Sequence, residues 1–235
     1  MINYAIILVS GTGSRTGLKI PKQFVKISGK TILEYSVSAF EKNKNIDRII
    51  VVSNPLYIDL TKNIIQKSGF KKVINVLEGG ETRQQSSYIG INSIKDTNAK
   101  VLIHDGVRPF ISQKIINNCI EALNFYKAVN VAVESSDTIF EINDKNIIKN
   151  IPERKFLKRC QTPQCFDINI IKSAHELAVK DSLYNFSDDC GLVLKYNLSD
   201  IYVVDGSMYN IKITYPIDIE IAEIIADKLK KEEII

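Results

Sequence analysis

The chain has 235 residues, 45% of them hydrophobic and 25% charged, which is the make-up of an ordinary soluble globule able to bury one substantial core. The formal net charge of +4 is mild and carried by scattered lysines rather than a stripe, so nucleic-acid binding is unsupported. No apolar run approaches the ~20 residues of a membrane span, and the N-terminus lacks the basic start and small-residue cleavage site of a signal peptide. Four cysteines (Cys119, Cys160, Cys165, Cys190) show no CxxC pairing. They read as buried free thiols in a reducing cytoplasm.

In chain order, Ala5 to Val9 is a branched, apolar run that predicts a buried parallel strand. It empties into Gly11-Thr12-Gly13-Ser14-Arg15, followed by Pro21-Lys22. Glycines at a strand end let backbone approach a phosphate closely, and Arg15 and Lys22 add positive charge at the same rim. A plain strand-to-loop turn would need only the glycines. The Walker A pattern requires Gly-Lys-Ser/Thr opening a helix, whereas Lys22 follows Pro21. The dinucleotide fingerprint requires a third glycine, where Thr16 stands. The pattern therefore points to a nucleoside triphosphate held by amides and cations.

Helical spacing follows over residues 31–42, a strand over Arg48–Ser53, and an Asn54-Pro55 helix start running to about Ser68. Val73–Leu77 predicts a strand, Thr82–Ile94 a helix, Lys100–His104 a strand and Ser112–Tyr126 a helix. Such alternation predicts an open, parallel α/β sheet with helices on both faces, whose ligands sit at the carboxyl ends of the strands. The second half departs from it. Asn130–Glu134, Thr138–Ile142 and Asn146–Asn150 are short strand-like pieces around a polar turn at residues 143–145, and they predict a hairpin-like arm. Helices return at Ile168–Val179 and Pro216–Lys231, with a strand at Ile201–Val204. No repeat or linker divides the chain, so residues 1–235 are expected to form one domain.

Asp105, in His104-Asp105-Gly106-Val107-Arg108-Pro109, is placed to hold Mg²⁺, though such a residue equally caps a turn while Arg108 makes a structural ion pair. His104 is expected to pack at the strand end and His175 to lie on a helix surface. With two histidines in all, a His-based nucleophilic mechanism has little material. Gly79-Gly80 amides could read a base edge and Ser86 a ribose or base oxygen, or the glycines make a bare turn. Asp137-Thr138, Arg154, Gln161-Thr162-Pro163-Gln164, Asp188-Asp189 and Asn210-Ile211-Lys212-Ile213-Thr214 complete the candidates, with Lys212 and Arg154 suited to a second anion.

Seven motifs occur in order (Gly-x-Gly-x-Arg, Pro-Lys-Gln, Gly-Gly-x-x-Arg, His-Asp-x-x-Arg-Pro, Asp-Thr, Gln-Thr-Pro-Gln and Asn-Ile-Lys-Ile-Thr), within a resemblance that runs from about Tyr4 to Glu223. Together they resemble the small cytidylyltransferases acting on polyol phosphates. That family includes the enzymes for 2-C-methyl-D-erythritol 4-phosphate in isoprenoid synthesis and for D-ribitol 5-phosphate in teichoic acid and capsule synthesis. The resemblance implies a Rossmann-like nucleotidyltransferase fold, CTP, Mg²⁺ and a homodimer with exchanged arms over about residues 137–155. Carried over, Gly11, Thr12, Gly13 and Ser14, with Arg15 and Lys22, match the triphosphate loop. Gly79, Gly80, Arg83 and Ser86 match the cytidine segment, and Asp105 the metal ligand. Arg108, Thr138, Arg154 and Lys212 match the acceptor and catalytic positions, Arg154 across the dimer. Val107 and the absence of any Trp resemble the ribitol branch, whereas Ser187-Asp188-Asp189 resembles the erythritol branch. Ribitol 5-phosphate is therefore the expected acceptor, with methylerythritol phosphate the alternative. A non-catalytic nucleotide-binding module would be expected to lose Lys22, Asp105 or Lys212. A sugar-1-phosphate nucleotidyltransferase lacks the Gln-Thr-Pro-Gln and Asn-Ile-Lys-Ile-Thr pair.

Overall fold

The computed structural model describes residues 1–11 and 20–232. Thr12, Gly13, Ser14 and Arg15 of the expected triphosphate loop therefore lie outside the described residues. Strand β1 (Ile2–Val9) is an interior strand of the main sheet, and its side chains alternate between two cores. Ala5, Ile7 and Val9 enter one; Tyr4, Ile6 and Leu8 enter the other. A strand apolar on both faces must be covered on both, and the chain does this by alternating helices.

After a small hairpin, β2 (Lys26–Ile27) and β3 (Lys30–Thr31), helix α1 (Ile32–Glu41) opens with a reciprocal cap. Thr31 accepts from the Glu34 amide while Glu34 accepts from that of Thr31. Strand β4 (Arg48–Ser53) follows. Asn54 caps a 3-10 turn at Pro55–Tyr57 that leads into α2 (Ile58–Lys67), so the Asn-Pro start stands, with a tighter first turn than an α-helix. Then come β5 (Val73–Glu78), α3 (Arg83–Ser93) with a Thr82/Gln85 cap, β6 (Ala99–Asp105) and α4 (Gln113–Ala122) capped by Ser112.

The second half differs from expectation in three places. Strand β7 (Ala128–Glu134) belongs to the main sheet rather than to an arm, because its alternate residues Val129 and Val131 enter the first core. The arm itself is smaller: β8 (Glu141–Ile142) and β9 (Ile148–Asn150) form a two-stranded hairpin, turned by Asn143, whose side chain accepts from the amides of Lys145 and Ile147. A ten-residue strand, β10 (Lys158–Asp167), was hidden by Pro163 in its interior. Its pairing with β7 breaks register between Cys160 and Gln164, around that proline. Helix α5 (Ile168–Lys180) is followed by α6 (Asp189–Lys195), too short to show a period, then β11 (Ile201–Asp205) and α7 (Ile217–Lys231).

The sheet order is β11-β7-β10-β6-β1-β4-β5, parallel except for β10, which runs antiparallel to β6 and β7. Helices α1, α2 and α4 cover one face and α3, α5 and α6 the other. Helix α7 closes one end in a third core with Val107, Phe110 and Ile213. Among the described residues no helix is long and apolar enough to cross a membrane. Cys119, Cys165 and Cys190 are buried free thiols, but Cys160 is exposed.

Candidate active site

The carboxyl ends of β1, β4, β5 and β6 meet at one edge and are fastened there by side chains. Gln23 donates to the carbonyls of Val9 (2.9 Å) and Gly11 (3.0 Å), and Asn54 donates to that of Ser10 (3.1 Å). The Gly79 amide donates to the Ser53 carbonyl at 2.7 Å, and a Cβ at Gly79 would stand 2.6 Å from that of Ser10, so only glycine allows this approach. An added Cβ at Gly11 meets nothing within 4 Å among the described residues. Above this floor lies a cleft of about 760 Å³ lined by Gly11, Lys22, Gly80, Arg83, Asp105 and Lys212, among others. Its volume suits a nucleotide-sized ligand.

Asp105 is the electrostatic focus. Its Oδ1 meets Arg83 Nε at 3.1 Å and its Oδ2 meets Lys212 Nζ at 2.7 Å. Burial alone would raise this carboxyl, but Arg83 and Lys212 hold it well below the usual carboxylate range. Arg83 reaches on to a second carboxylate, Asp189 Oδ2, at 2.7 Å. Burial opposes its charge, and the two carboxylates more than offset that, raising the guanidinium further. Beneath, one directed chain of hydrogen bonds sets the loop. The Asp105 amide donates to Thr162 Oγ1 (3.1 Å), which lies 3.0 Å from His104 Nδ1, while His104 Nε2 lies 3.0 Å from the Arg108 carbonyl. The carbonyl can only accept, so Nε2 carries the proton and Nδ1 accepts from the threonine. Arg108 in turn donates to the Asn210 carbonyl (2.8 Å), and Asn210 donates to the Thr162 carbonyl (2.9 Å). This seats the segment carrying Lys212.

The family model for 2-C-methyl-D-erythritol 4-phosphate cytidylyltransferase matches residues 3–228. The chain belongs to that family. It is 42% identical over 233 residues to the enzyme of that name from Clostridioides difficile, covering 98% of this chain and 97% of the relative. It is 40% identical over 225 residues to the bifunctional ribulose 5-phosphate reductase/CDP-ribitol pyrophosphorylase Bcs1 of Haemophilus influenzae, covering 94% of this chain but 47% of that longer protein. The crystal structure of 4-diphosphocytidyl-2C-methyl-D-erythritol synthase from Anaerococcus prevotii DSM 20548 superposes with a TM-score of 0.85 at 31% identity, covering 96% of both chains. The fold is thus the expected Rossmann-like nucleotidyltransferase fold, and the chain is a CTP-dependent cytidylyltransferase.

In this cytidylyltransferase, Gly11, Lys22, Gly79, Gly80, Arg83, Asp105 and Lys212 gather around one cleft, as expected. Five residues behave differently. The Gly79 amide is already used by Ser53 and is not free to read a base. Ser86 is fully buried, accepts from Ser10 and donates to the Thr82 carbonyl (2.9 Å), so its hydroxyl braces the loop rather than facing the cleft. Arg108 does not line this cleft: it is buried, donates to the Asn210 and Cys160 carbonyls and borders a second, smaller cavity, with its Nε lacking a partner among the described residues. Arg154 and Thr138 stay on the arm side, joined to each other at 3.3 Å, and neither lines the cleft. His104 packs at the strand end as expected. His175 does not lie on the surface: it is buried, contacts Asp189 Oδ1 at 3.0 Å and stacks on Tyr88. Asp189 was legible only as half of an Asp-Asp pair, since nothing in the sequence brings it 106 positions back to Arg83.

Proposed function

We propose that the chain transfers CMP from CTP to 2-C-methyl-D-erythritol 4-phosphate, releasing pyrophosphate, and that it works as a homodimer with Mg²⁺. The observation that carries an anionic acceptor is the position of Lys212. It lines the main cleft and also a second cavity of about 270 Å³, shared with Arg108, Arg159 and Gln161, with no carboxylate among the described lining residues. A cation between two cavities is suited to hold two phosphates close against their repulsion. A phosphate oxygen of the acceptor bonds to the α-phosphorus of CTP as the bond to the β-phosphate bridging oxygen breaks, and pyrophosphate leaves with that electron pair. The nucleophile is already an anion, so no general base is required. Lys22 and Lys212 offset the charge that accumulates in the transition state.

Among the described residues no three His, Cys, Asp or Glu side chains converge, so an all-protein metal cage is not offered. Asp105 and Glu81 are the carboxylates among the described lining residues of the cleft; Asp105 is the one paired with Lys212, and one or two carboxylates completed by substrate phosphates are how Mg²⁺ is commonly held. Asp105 would hold it, each oxygen having lone pairs beyond those facing Arg83 and Lys212. The ion would polarise phosphate oxygens of the nucleotide.

Relatives carrying the methylerythritol name support that acceptor over the ribitol phosphate that Val107 and the missing tryptophan suggest. Ribitol 5-phosphate remains the second reading, favoured by 40% identity to the Haemophilus protein. Pyrophosphate release measured with CTP and each acceptor separates them. Methylerythritol phosphate is expected to show the larger kcat/KM, and a larger value for ribitol 5-phosphate reverses the assignment.

A further inference from the structure

Asp189 sits outside the cleft, yet it is among the most heavily anchored side chains in the molecule. It is 1% exposed at the start of α6. Ser87 donates to its Oδ1 at 2.6 Å, His175 Nε2 approaches the same oxygen at 3.0 Å, and its own amide donates to Gln164 Oε1 at 2.9 Å. Its other oxygen holds Arg83 Nη1 at 2.7 Å, shorter than the 3.1 Å from Arg83 Nε to Asp105. Arg83 is therefore shared between two carboxylates, with the tighter contact on the one away from the cleft.

The charges explain what this arrangement does. Arg83 and Lys212 both face Asp105. Without Asp189, two cations would act on one carboxylate, and a further cation approaching Asp105 would meet net positive charge. Asp189 supplies a second carboxylate to Arg83 and so reduces the net positive charge that Arg83, Lys212 and the more distant Arg108 place on Asp105. Because α3, α5, α6 and β10 all contribute to its seat, the guanidinium is anchored from behind and cannot swing wholly onto Asp105.

We propose that Asp189 is a positioning residue that draws the Arg83 charge away from Asp105 and so keeps Asp105 available to a divalent cation. The proposal rests on Asp105 holding Mg²⁺ as described above. Calorimetric titration of the protein with CTP in MgCl₂ and again in EDTA tests it, since the ratio of the two affinities measures what the metal contributes. In Asp189→Asn that ratio is expected to fall by about tenfold, the size typical for losing a group that supports a metal ligand. Affinity in EDTA should stay near the wild-type value, and Asp189→Glu should recover most of the ratio. A purely structural role would lower both affinities together, and that result, or an unchanged ratio, overturns the proposal. If Asp189→Asn does not fold, Ser87→Ala keeps every charge and removes only the 2.6 Å bond seating Asp189. It should then lower the ratio selectively, and an unchanged ratio is again fatal. A wild-type ratio of one would instead remove the metal reading of Asp105 itself, and this inference with it.

Discussion

His104 shows how one side chain can hold the loop at residues 105–108 from beneath the cleft. It is fully buried, packs its ring against Phe40 at 5.1 Å between centroids, and links Thr162 to the Arg108 carbonyl. Burial pushes its imidazole down to about 4 from the ordinary 6.5, only partly opposed by its hydrogen bond to the Arg108 carbonyl. As pH falls below 6.5 the unfolded chain takes up a proton that the folded chain refuses, so stability present above 6.5 is lost on acidification. Between pH 7 and pH 5 the loss should amount to about 2 kcal/mol. Asp105 and Asp189 are also depressed, but they matter mainly below this window, where unfolded carboxylates begin to protonate. Urea midpoints across that range should fall for the wild type and change less for His104→Gln. Equal slopes in the two proteins would show that His104 is not the source. The sequence marked His104 as a packing residue because it ends an apolar strand. His175 was misread because a single polar residue within a helical pattern does not reveal which face is covered.

At the scale of elements, the strand ends are set by contacts that glycine alone permits. Gly106 follows β6, its amide donates to the Leu8 carbonyl at 2.9 Å, and its carbonyl accepts from Ser36 Oγ at 2.9 Å. A Cβ there would lie 2.2 Å from Val9 Cγ1, beneath the floor of the cleft. Gly106→Ala must push β6 and β1 apart, at a cost of about 1 to 3 kcal/mol. Because the displacement falls beside Asp105, turnover should drop even in samples shown to be folded. Thermal melts with assays below the midpoint give both quantities, and wild-type values of each would contradict the packing argument. Elements with local signals were legible: the Asn54 cap stands as expected, and the helical ranges expected from residues 31, Thr82 and Ser112 begin at residues that the structure shows to be their caps. Strand β10 and helix α6 were not legible. The first carries a proline at a register break and the second is seven residues long, so neither displays a period.

The whole molecule leaves one piece without a core. The hairpin of β8 and β9 and its flanks expose Phe140, Ile142, Ile147, Ile148, Ile151 and Phe156, each at least half exposed. A two-stranded ribbon of this size is marginal alone, and apolar side chains gathered on it call for a covering surface. In the homodimer proposed above, a second copy supplies that surface reciprocally, and Arg154 would reach the neighbouring cleft. Mixing Arg154→Ala with Lys22→Ala, each inactive alone, should then restore activity once subunit exchange is shown, because some heterodimer sites carry neither change. Activity that stays at the level of the separate variants would place Arg154 in its own subunit's site or outside catalysis.

The sequence by itself determined the alternation of strands and helices, the sheet edge where the cleft forms, and the cations and carboxylate gathered there. Those features follow from short-range patterns: apolar runs, caps, and glycines at strand ends. Only the tertiary structure decided that Ser86 and the Gly79 amide serve the loop, that Arg108 is an internal brace, and that Asp189 and His175 stand behind Arg83. Each of these depends on which partner lies across a gap of tens of positions in the chain. The packing of two helical layers onto one sheet decides that, and no local pattern encodes it.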